Sequence, residues 1–191
     1  MPTPFDILLL GPPGAGKGTQ GVLLAERLGL PKFATGDLLR DAVARGTPLG
    51  RQARAVMESG ALVSDDIILG VVEEELDKPA AAAGVILDGV VRTVPQAEGV
   101  ERLLAERGRR IAHVVFLDVA DQEILGRIER RRTTESRADD APDAVTRRLR
   151  AYREQTAPVL AWYEARGGVD RIEGTGTVAE IAGRIKAALG R

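Results

Sequence analysis

A short apolar run, a glycine-rich loop and a helical stretch, in that order, constrain this chain more than any other feature. Residues 6–10, Asp-Ile-Leu-Leu-Leu, have the composition of a buried strand, and Gly-Pro-Pro-Gly-Ala-Gly-Lys-Gly-Thr follows at 11–19. Beyond the loop, Val22, Leu23, Ala25 and Leu28 recur at near-helical spacing. This arrangement is what a phosphate cradle needs. Backbone N–H groups and the positive end of the helix dipole converge on an anion, and Gly14, Gly16 and Gly18 let the chain wrap closely because they carry no Cβ. Lys17 adds a point charge for terminal phosphates. The pattern G-x-x-x-x-G-K-[ST] is met by Gly11, Gly16, Lys17 and, one residue late, Thr19, because Gly18 stands in the usual hydroxyl position. Lacking that hydroxyl, the loop is expected to leave a nucleotide's Mg²⁺ to water and phosphate oxygens.

At 191 residues the chain is long enough for one α/β core carrying small insertions. Its formal net charge of −1 provides no general surface for nucleic acid or membrane, so neither is an expected partner and the positive charge that matters is local. Cysteine is absent, which excludes a disulfide scaffold and a Cys-ligated zinc and suits a reducing compartment. No apolar run approaches the ~18 residues of a spanning helix, and no signal peptide is visible, so a cytoplasmic location is expected. Asparagine is also absent. That excludes the Asn-Lys-x-Asp motif with which switch GTPases read guanine. Basic residues are almost all arginine, a bias that suits either a heat-tolerant protein or a GC-rich genome.

Apolar runs at 5–10, 33–35, 85–88, 113–118 and 169–173 read as strands, each followed by a helix-length segment. The alternation predicts a parallel sheet covered on both faces. Ser64-Asp65-Asp66 and Asp140-Ala141-Pro142 supply caps and first-turn acids, and Thr177 to Glu180 has the spacing of a capping box. Residues 78–84 read as a surface connection. His113, alone in a strand, reads as a packed or edge residue, and Tyr152, Trp162 and Tyr163 read as packing on a long helix after residue 142.

In an open parallel sheet ligands gather at the carboxyl ends of the strands. Thr35 and Arg40 follow one strand end, and Asp88, Gly89, Arg92 and Gln96 follow another, all on the rim of the phosphate loop. Asp88 at a strand tip suits orientation of Mg²⁺ through its waters, Arg92 can fork onto a phosphate, and Gln96 can read a base edge. A third group contains Arg127, Arg130, Arg131, Arg132 and Arg137, with Arg147 and Arg148 beyond. Such a run is ordinarily a solvated helix face. In a chain with a phosphate cradle and no excess positive charge, it points to the several cations that phosphoryl transfer requires. Residues 132–140 lack apolar periodicity and read as a flap that carries Arg137.

With these residues in place, the chain resembles the adenylate kinase family over nearly its whole length. GPPGAGKGTQ, ATGDLLR, GALVSDDI, LDG-x-x-R-T-x-x-Q, SRADD and RRLRAY-x-x-Q-T-x-P follow in the family's order and approximate spacing. The resemblance implies the P-loop nucleoside monophosphate kinase fold, a five-stranded parallel sheet flanked by helices with two mobile insertions. It puts the core at 1–33, 64–129 and 141–191, a monophosphate-binding flap at 34–63, and a short lid without zinc at 130–140. It further implies a monomer acting on ATP, AMP and ADP with Mg²⁺. By the same resemblance, Gly14, Ala15, Gly16, Lys17, Gly18 and Thr19 hold the ATP phosphates. Arg127 lies by the ATP adenine, Gly176 offers its backbone to that base, and Arg131 also serves ATP. Thr35, Arg40, Ala61, Leu62, Val63, Gly89, Val90, Val91, Arg92 and Gln96 bind AMP. Lys17, Arg92, Arg131, Arg137 and Arg148 surround the transferred group, while Asp139 and Asp140 belong to the lid's polar hinge.

Two departures stand out. Where the family has Asp-Gly-Phe-Pro-Arg, this chain has Asp88-Gly89-Val90-Val91-Arg92, and losing the proline frees φ at 91 and predicts a looser Arg92. The family's Ser before Thr-Gly-Asp is Ala34. A UMP/CMP kinase of the same fold is the alternative within the class. Thr35 in place of that group's alanine, and the Thr93-Val94-Pro95-Gln96 sequence in place of its Asn-rich stretch, favour AMP. The alternative outside the class is an ATP-binding regulator without catalysis, for which Arg40, Arg92 and Arg148 together would be superfluous.

Overall fold

The computed structural model of the protein describes residues 4–44, 46, 50, 51, 54, 56, 63–134 and 142–190. Strand β1 (Asp6–Leu10) is buried along its whole length, as its unbroken apolar run requires of a strand covered on both faces. Helix α1 (Lys17–Leu28) leaves the glycine loop, β2 (Lys32–Ala34) follows, and α2 (Thr35–Ala44) starts directly from it. Thr35 is therefore the first residue of a helix and not the last of a strand. After α3 (Asp65–Leu76) the chain makes a short 3₁₀ turn at Pro79–Ala81 and enters β3 (Ile86–Asp88). Ala81 in that turn is fully buried, so the connection is anchored in the core and is not merely a surface link.

Helix α4 (Val94–Glu106) is capped by Thr93, whose side chain accepts from the Gln96 N–H. Strand β4 (Ile111–Asp118) begins two residues before its apolar run, because Ile111 pairs in register with Asp6 of β1. Helix α5 (Asp121–Thr134) follows. The expected long helix after residue 142 is three pieces: α6 (Pro142–Ala151), a π-helical segment Tyr152–Thr156, and α7 (Ala157–Glu164). The cause lies in the sequence. Pro158 has no N–H for the carbonyl four residues back, and the Ala157 N–H bonds to Tyr152 O, five residues back. Strand β5 (Val169–Glu173) and α8 (Val178–Leu189) complete the chain, the latter with Thr177 and Glu180 in a reciprocal capping box.

The sheet is parallel throughout, in the order β2-β3-β1-β4-β5. Side chains alternate between its faces as the pleat dictates. Leu8, Leu10, Val114 and Phe116 meet Val72, Val100, Leu104 and Val159 of α3, α4 and α7 on one face. On the other, Ile7, Leu9, Val115 and Leu117 meet Leu24, Ile124, Ile128, Ile181 and Ile185 of α1, α5 and α8. The connection from β1 runs through α1 on one face towards β2, and that from β3 runs through α4 on the other face towards β4, so the crevice at the carboxyl end of these strands is the topological switch point, where such sheets take their ligands.

At the opposite end of β1, Asp6 is wholly buried and binds three donors. The Val85 N–H donates to Oδ1 at 3.0 Å, and Arg109 grips the carboxylate with Nη2 to Oδ1 at 2.5 Å and Nε to Oδ2 at 3.0 Å. This one carboxylate ties the start of β1 to the segments entering β3 and β4. His113 also lies near this end, with Nδ1 at 2.8 Å from Asp170 Oδ2 and its ring beside Phe5, in keeping with a structural residue. Trp162 and Tyr163 pack edge to face at 4.8 Å. Among the described residues no helix is long and apolar enough to cross a membrane.

Candidate active site

The glycine loop is built as its sequence demands. Gly14 and Gly16 have φ of 84° and 96°, a region that L side chains avoid. A Cβ on Gly14 would also meet Ile128 Cγ1 at 2.9 Å. Gly16 is the N-cap of α1 and supplies no side-chain bond, so the first N–H groups of the helix point to an anion site. Lys17 donates from Nζ to Gly11 O at 2.6 Å and Pro12 O at 2.9 Å. The residue keeps some surface, but its ammonium is enclosed, and burial lowers its pKa from 10.5 to about 8. Asp88 opposes that shift, while Arg92, Arg148 and Arg131 reinforce it. One anion and three further cations from β3, α5, α6 and the loop after β3 thus converge on the lysine.

Asp88, at the tip of β3, is 8% exposed, with Lys32 Nζ 3.6 Å from its Oδ2. Lys32 also lies 3.6 Å from Asp37 Oδ2. A Cβ on Gly18 would stand 3.7 Å from Asp88 Oδ2, so the missing hydroxyl position faces this carboxylate. Among the described residues no three His, Cys, Asp or Glu side chains gather as a metal cage. A single carboxylate beside an open, hydroxyl-free loop fits a Mg²⁺ that arrives with its nucleotide and keeps its water.

Arg92 is held from several sides. Its N–H donates to Gln96 Oε1 at 2.7 Å, its Nε to Gly89 O at 3.0 Å, and its carbonyl accepts from Thr156 Oγ1 at 2.9 Å. Val90 and Val91 are each 1% exposed and packed into the core. Where the family has a proline, packing of both valines and these bonds are the constraints on Arg92. Val91, Arg92, Gly89, Lys17, Arg148, Tyr152 and Thr156 line one open cleft. Tyr152 is thus a cleft residue as well as a packing one, presented by the π-helical turn.

Thr35 is buried and donates from Oγ1 to Gly89 O at 2.9 Å, joining α2 to the β3 tip. Arg40 turns onto Asp37, Nη2 to Oδ1 at 2.5 Å, and is not among the residues lining the cleft. Gln96 is fully buried, and Val63 belongs to the core. Ala61, Leu62, Arg137, Asp139 and Asp140 lie outside the described residues. On the far side of the loop, Arg127 donates to Ala15 O at 3.2 Å, Gly174 O at 2.7 Å and Glu123 Oε1 at 2.8 Å. Its guanidinium therefore spans from the glycine loop to the turn after β5. Gly176, with φ of 103°, sits in that turn, which Arg184 braces by donating to the Glu173 and Thr175 carbonyls.

Sequence reasoning missed four participants. Lys32 gave no local signal, Thr156 stood in the RRLRAY-x-x-Q-T-x-P motif without a role, Tyr152 was hidden in an assumed helix, and Asp65 was read only as a first-turn acid. Asp65 does stand in the first turn, and its side chain also accepts from Gln96 Nε2 at 2.8 Å and Thr93 Oγ1 at 3.2 Å, whereas Ser64 makes no side-chain cap bond.

A five-stranded parallel sheet with this glycine loop at its switch point, and cations converging from several elements on one mouth, defines a P-loop kinase of the nucleoside monophosphate class. Comparison with known proteins narrows the class. A family model described as Adenylate kinase matches residues 9–168. Proteins named Adenylate kinase from Thermus thermophilus, Stenotrophomonas maltophilia and Gemmatimonas aurantiaca are 52%, 50% and 46% identical to this chain. Each alignment covers 96% of this chain, and 96%, 98% and 98% of the respective relative. The chain belongs to the adenylate kinase family.

Proposed function

We propose that the protein transfers the γ-phosphoryl group of Mg·ATP to AMP, reversibly, giving two ADP, and so balances the adenine nucleotides. The observation that carries this reading is the convergence of Lys17, Arg92, Arg131 and Arg148 on the mouth of the glycine loop, opposite Asp88. The ATP phosphates lie on the N–H groups of residues 14–19, with Lys17 moving from the Gly11 and Pro12 carbonyls onto the terminal phosphates. Arg127 and the Gly176 backbone take the adenine. AMP lies across the cleft, its phosphate on Arg92, Arg40 and Arg148, and its base near Thr35, Gln96 and the backbone of residues 61–63 and 89–91. Residues 34–63 act as the AMP flap and 130–140 as the lid that brings Arg137 to the transferred group.

Mg²⁺ bound with ATP supplies charge to the phosphates, and Asp88 is the residue that orients its waters. Lys17 and the arginines neutralise the charge spread over the transferred group and hold donor and acceptor in line. No general base is needed, because a phosphate monoester with a second pKa near 6 is already mostly dianionic at neutral pH. The protein acts as a monomer in the cytoplasm. A coupled assay offering AMP, CMP, UMP and GMP with Mg·ATP tests the reading. AMP is expected to lead by a factor of tens or more, since a site that hydrogen-bonds its base penalises a mismatch by leaving buried groups unpaired. Equal turnover with CMP would move the protein to the pyrimidine group.

A further inference from the structure

The Gln96 amide is wholly buried and has two fixed neighbours of opposite kind. Oε1 faces the Arg92 backbone N–H at 2.7 Å, which can only donate. Nε2 donates to Asp65 Oδ1 at 2.8 Å, a carboxylate oxygen that serves here as the acceptor. A flip of the amide would set two donors against each other at Arg92 and two acceptors at Asp65. The orientation follows from the chemistry of the neighbours and from nothing else. One hydrogen on Nε2 and one lone pair on Oε1 remain, in a fixed order in space.

We propose that Asp65, 31 residues away in sequence, is the positioning residue that locks the Gln96 amide and thereby sets the class of acceptor base. This rests on the reading of Gln96 as the residue that meets the AMP base. A locked amide offers an acceptor beside a donor. That matches the amino edge of adenine, where an exocyclic N–H lies beside a bare ring nitrogen. It opposes the keto edge of hypoxanthine or guanine, where a carbonyl lies beside a ring N–H. An amide free to flip would serve both, so discrimination against 6-keto purines comes from the lock and not from the glutamine alone.

Asp65 also accepts from the Thr93 hydroxyl, so its loss loosens the cap of α4 as well. A purely structural role is separated from the positioning role by the ratio of kcat/KM for AMP and IMP, which differ only at the edge in question. For the wild-type protein this ratio is expected at about a hundred or more, because the mismatched edge leaves buried groups unpaired. In Asp65→Ala it should fall about tenfold or more, through KM for AMP rising and KM for IMP falling, with KM for ATP unchanged. Asp65→Asn, which still offers Gln96 an acceptor, should keep most of the ratio. Thr93→Val, which weakens the cap but leaves the amide's two neighbours, should lower the melting temperature and keep the ratio. If the alanine variant does not fold, Asp65→Leu, whose side chain has no hydrogen-bonding atom, is read in the same way. An unchanged ratio in Asp65→Ala or Asp65→Leu overturns the lock. A wild-type ratio near one, with transfer to AMP intact, overturns base reading by Gln96 and the lock with it. Absence of any transfer to AMP overturns the proposed function itself.

Discussion

Removing the Asp6 carboxylate should be the most damaging single change to the scaffold that carries the site. The side chain is wholly buried, the Arg109 side chain is 6% exposed, and Asp6→Ala would strand that guanidinium together with the Val85 N–H. Breaking a buried ion pair from one side costs about 3–5 kcal/mol, because a buried charge is left without compensation. For a domain of this size about 2–4 °C of melting temperature accompanies each kcal/mol, so the expected fall is roughly 6–20 °C. Differential scanning fluorimetry without nucleotide, followed by urea titration for the free energy, measures it. Replacing both partners, Asp6→Leu with Arg109→Met, should recover most of the loss, since a well-packed apolar pair replaces an ion pair at little cost. Catalysis by the folded fraction should be unaltered, because the pair sits at the end of β1 away from the glycine loop. A fall of less than about 3 °C for Asp6→Ala, roughly 1 kcal/mol, would refute the role given to this carboxylate in joining β1 to the segments before β3 and β4.

Arg92→Ala should cut turnover by about a hundredfold, the scale of losing one preorganised donor to a transition state, with ATP affinity changed far less; near-normal steady-state turnover would remove Arg92 from the phosphoryl site. Val91→Pro should raise the melting temperature by a few degrees and leave AMP affinity unchanged in titration, as the Val91 N–H has no hydrogen bond among the described residues and proline at a compatible position stabilises by about 0.4–1 kcal/mol. A lower melting temperature would show that φ at 91 is unsuited to the ring. Lys17 gives a pH signature: its pKa of about 8 lies below the ordinary 10.5, so between those values the nucleotide-free site has lost a proton that the unfolded chain keeps. Lys17 therefore weighs against the folded state at neutral pH, and that burden lifts as pH rises from about 8 to 10.5. Phosphates beside the amine restore its charge, so ATP binding at pH 9 should take up part of a proton, read as a buffer-dependent calorimetric enthalpy that Lys17→Met abolishes. No buffer dependence in the wild-type protein would contradict the placement.

Local order was legible in the sequence, and long-range pairing was not. The glycine loop, α1 and β1 follow from residues adjacent in the chain, as does the capping box at Thr177, because the physics that makes them is local. Strand limits slipped where pairing, not composition, decides them. Ile111 and Ala112 join β4 through the register with β1, and Lys32 joins β2 through Ile86. Asp6 and Arg109 are 103 residues apart, and no pattern in either neighbourhood announces the other. Asp65 is the first-turn acid that its position predicts, and its bonds to Gln96 and Thr93 stay hidden because an acid there is already explained as a dipole partner. The π-helical turn at Tyr152–Thr156 had a visible signal in Pro158, whose missing N–H disrupts the preceding turn. For Val90 and Val91 the departure from Phe-Pro is legible in the sequence, but their burial in the core is not, because it depends on elements distant in the chain.

The central claim is that the converging cations serve transfer between two adenine nucleotides and not hydrolysis of one. Chromatographic quantification of all three nucleotides in a single reaction of Mg·ATP with AMP tests it most directly. The expected result is equal loss of ATP and AMP with ADP rising by the sum of the two, and, starting from ADP alone, ATP and AMP appearing in equal amounts. Loss of ATP with AMP unchanged and free phosphate released would contradict it.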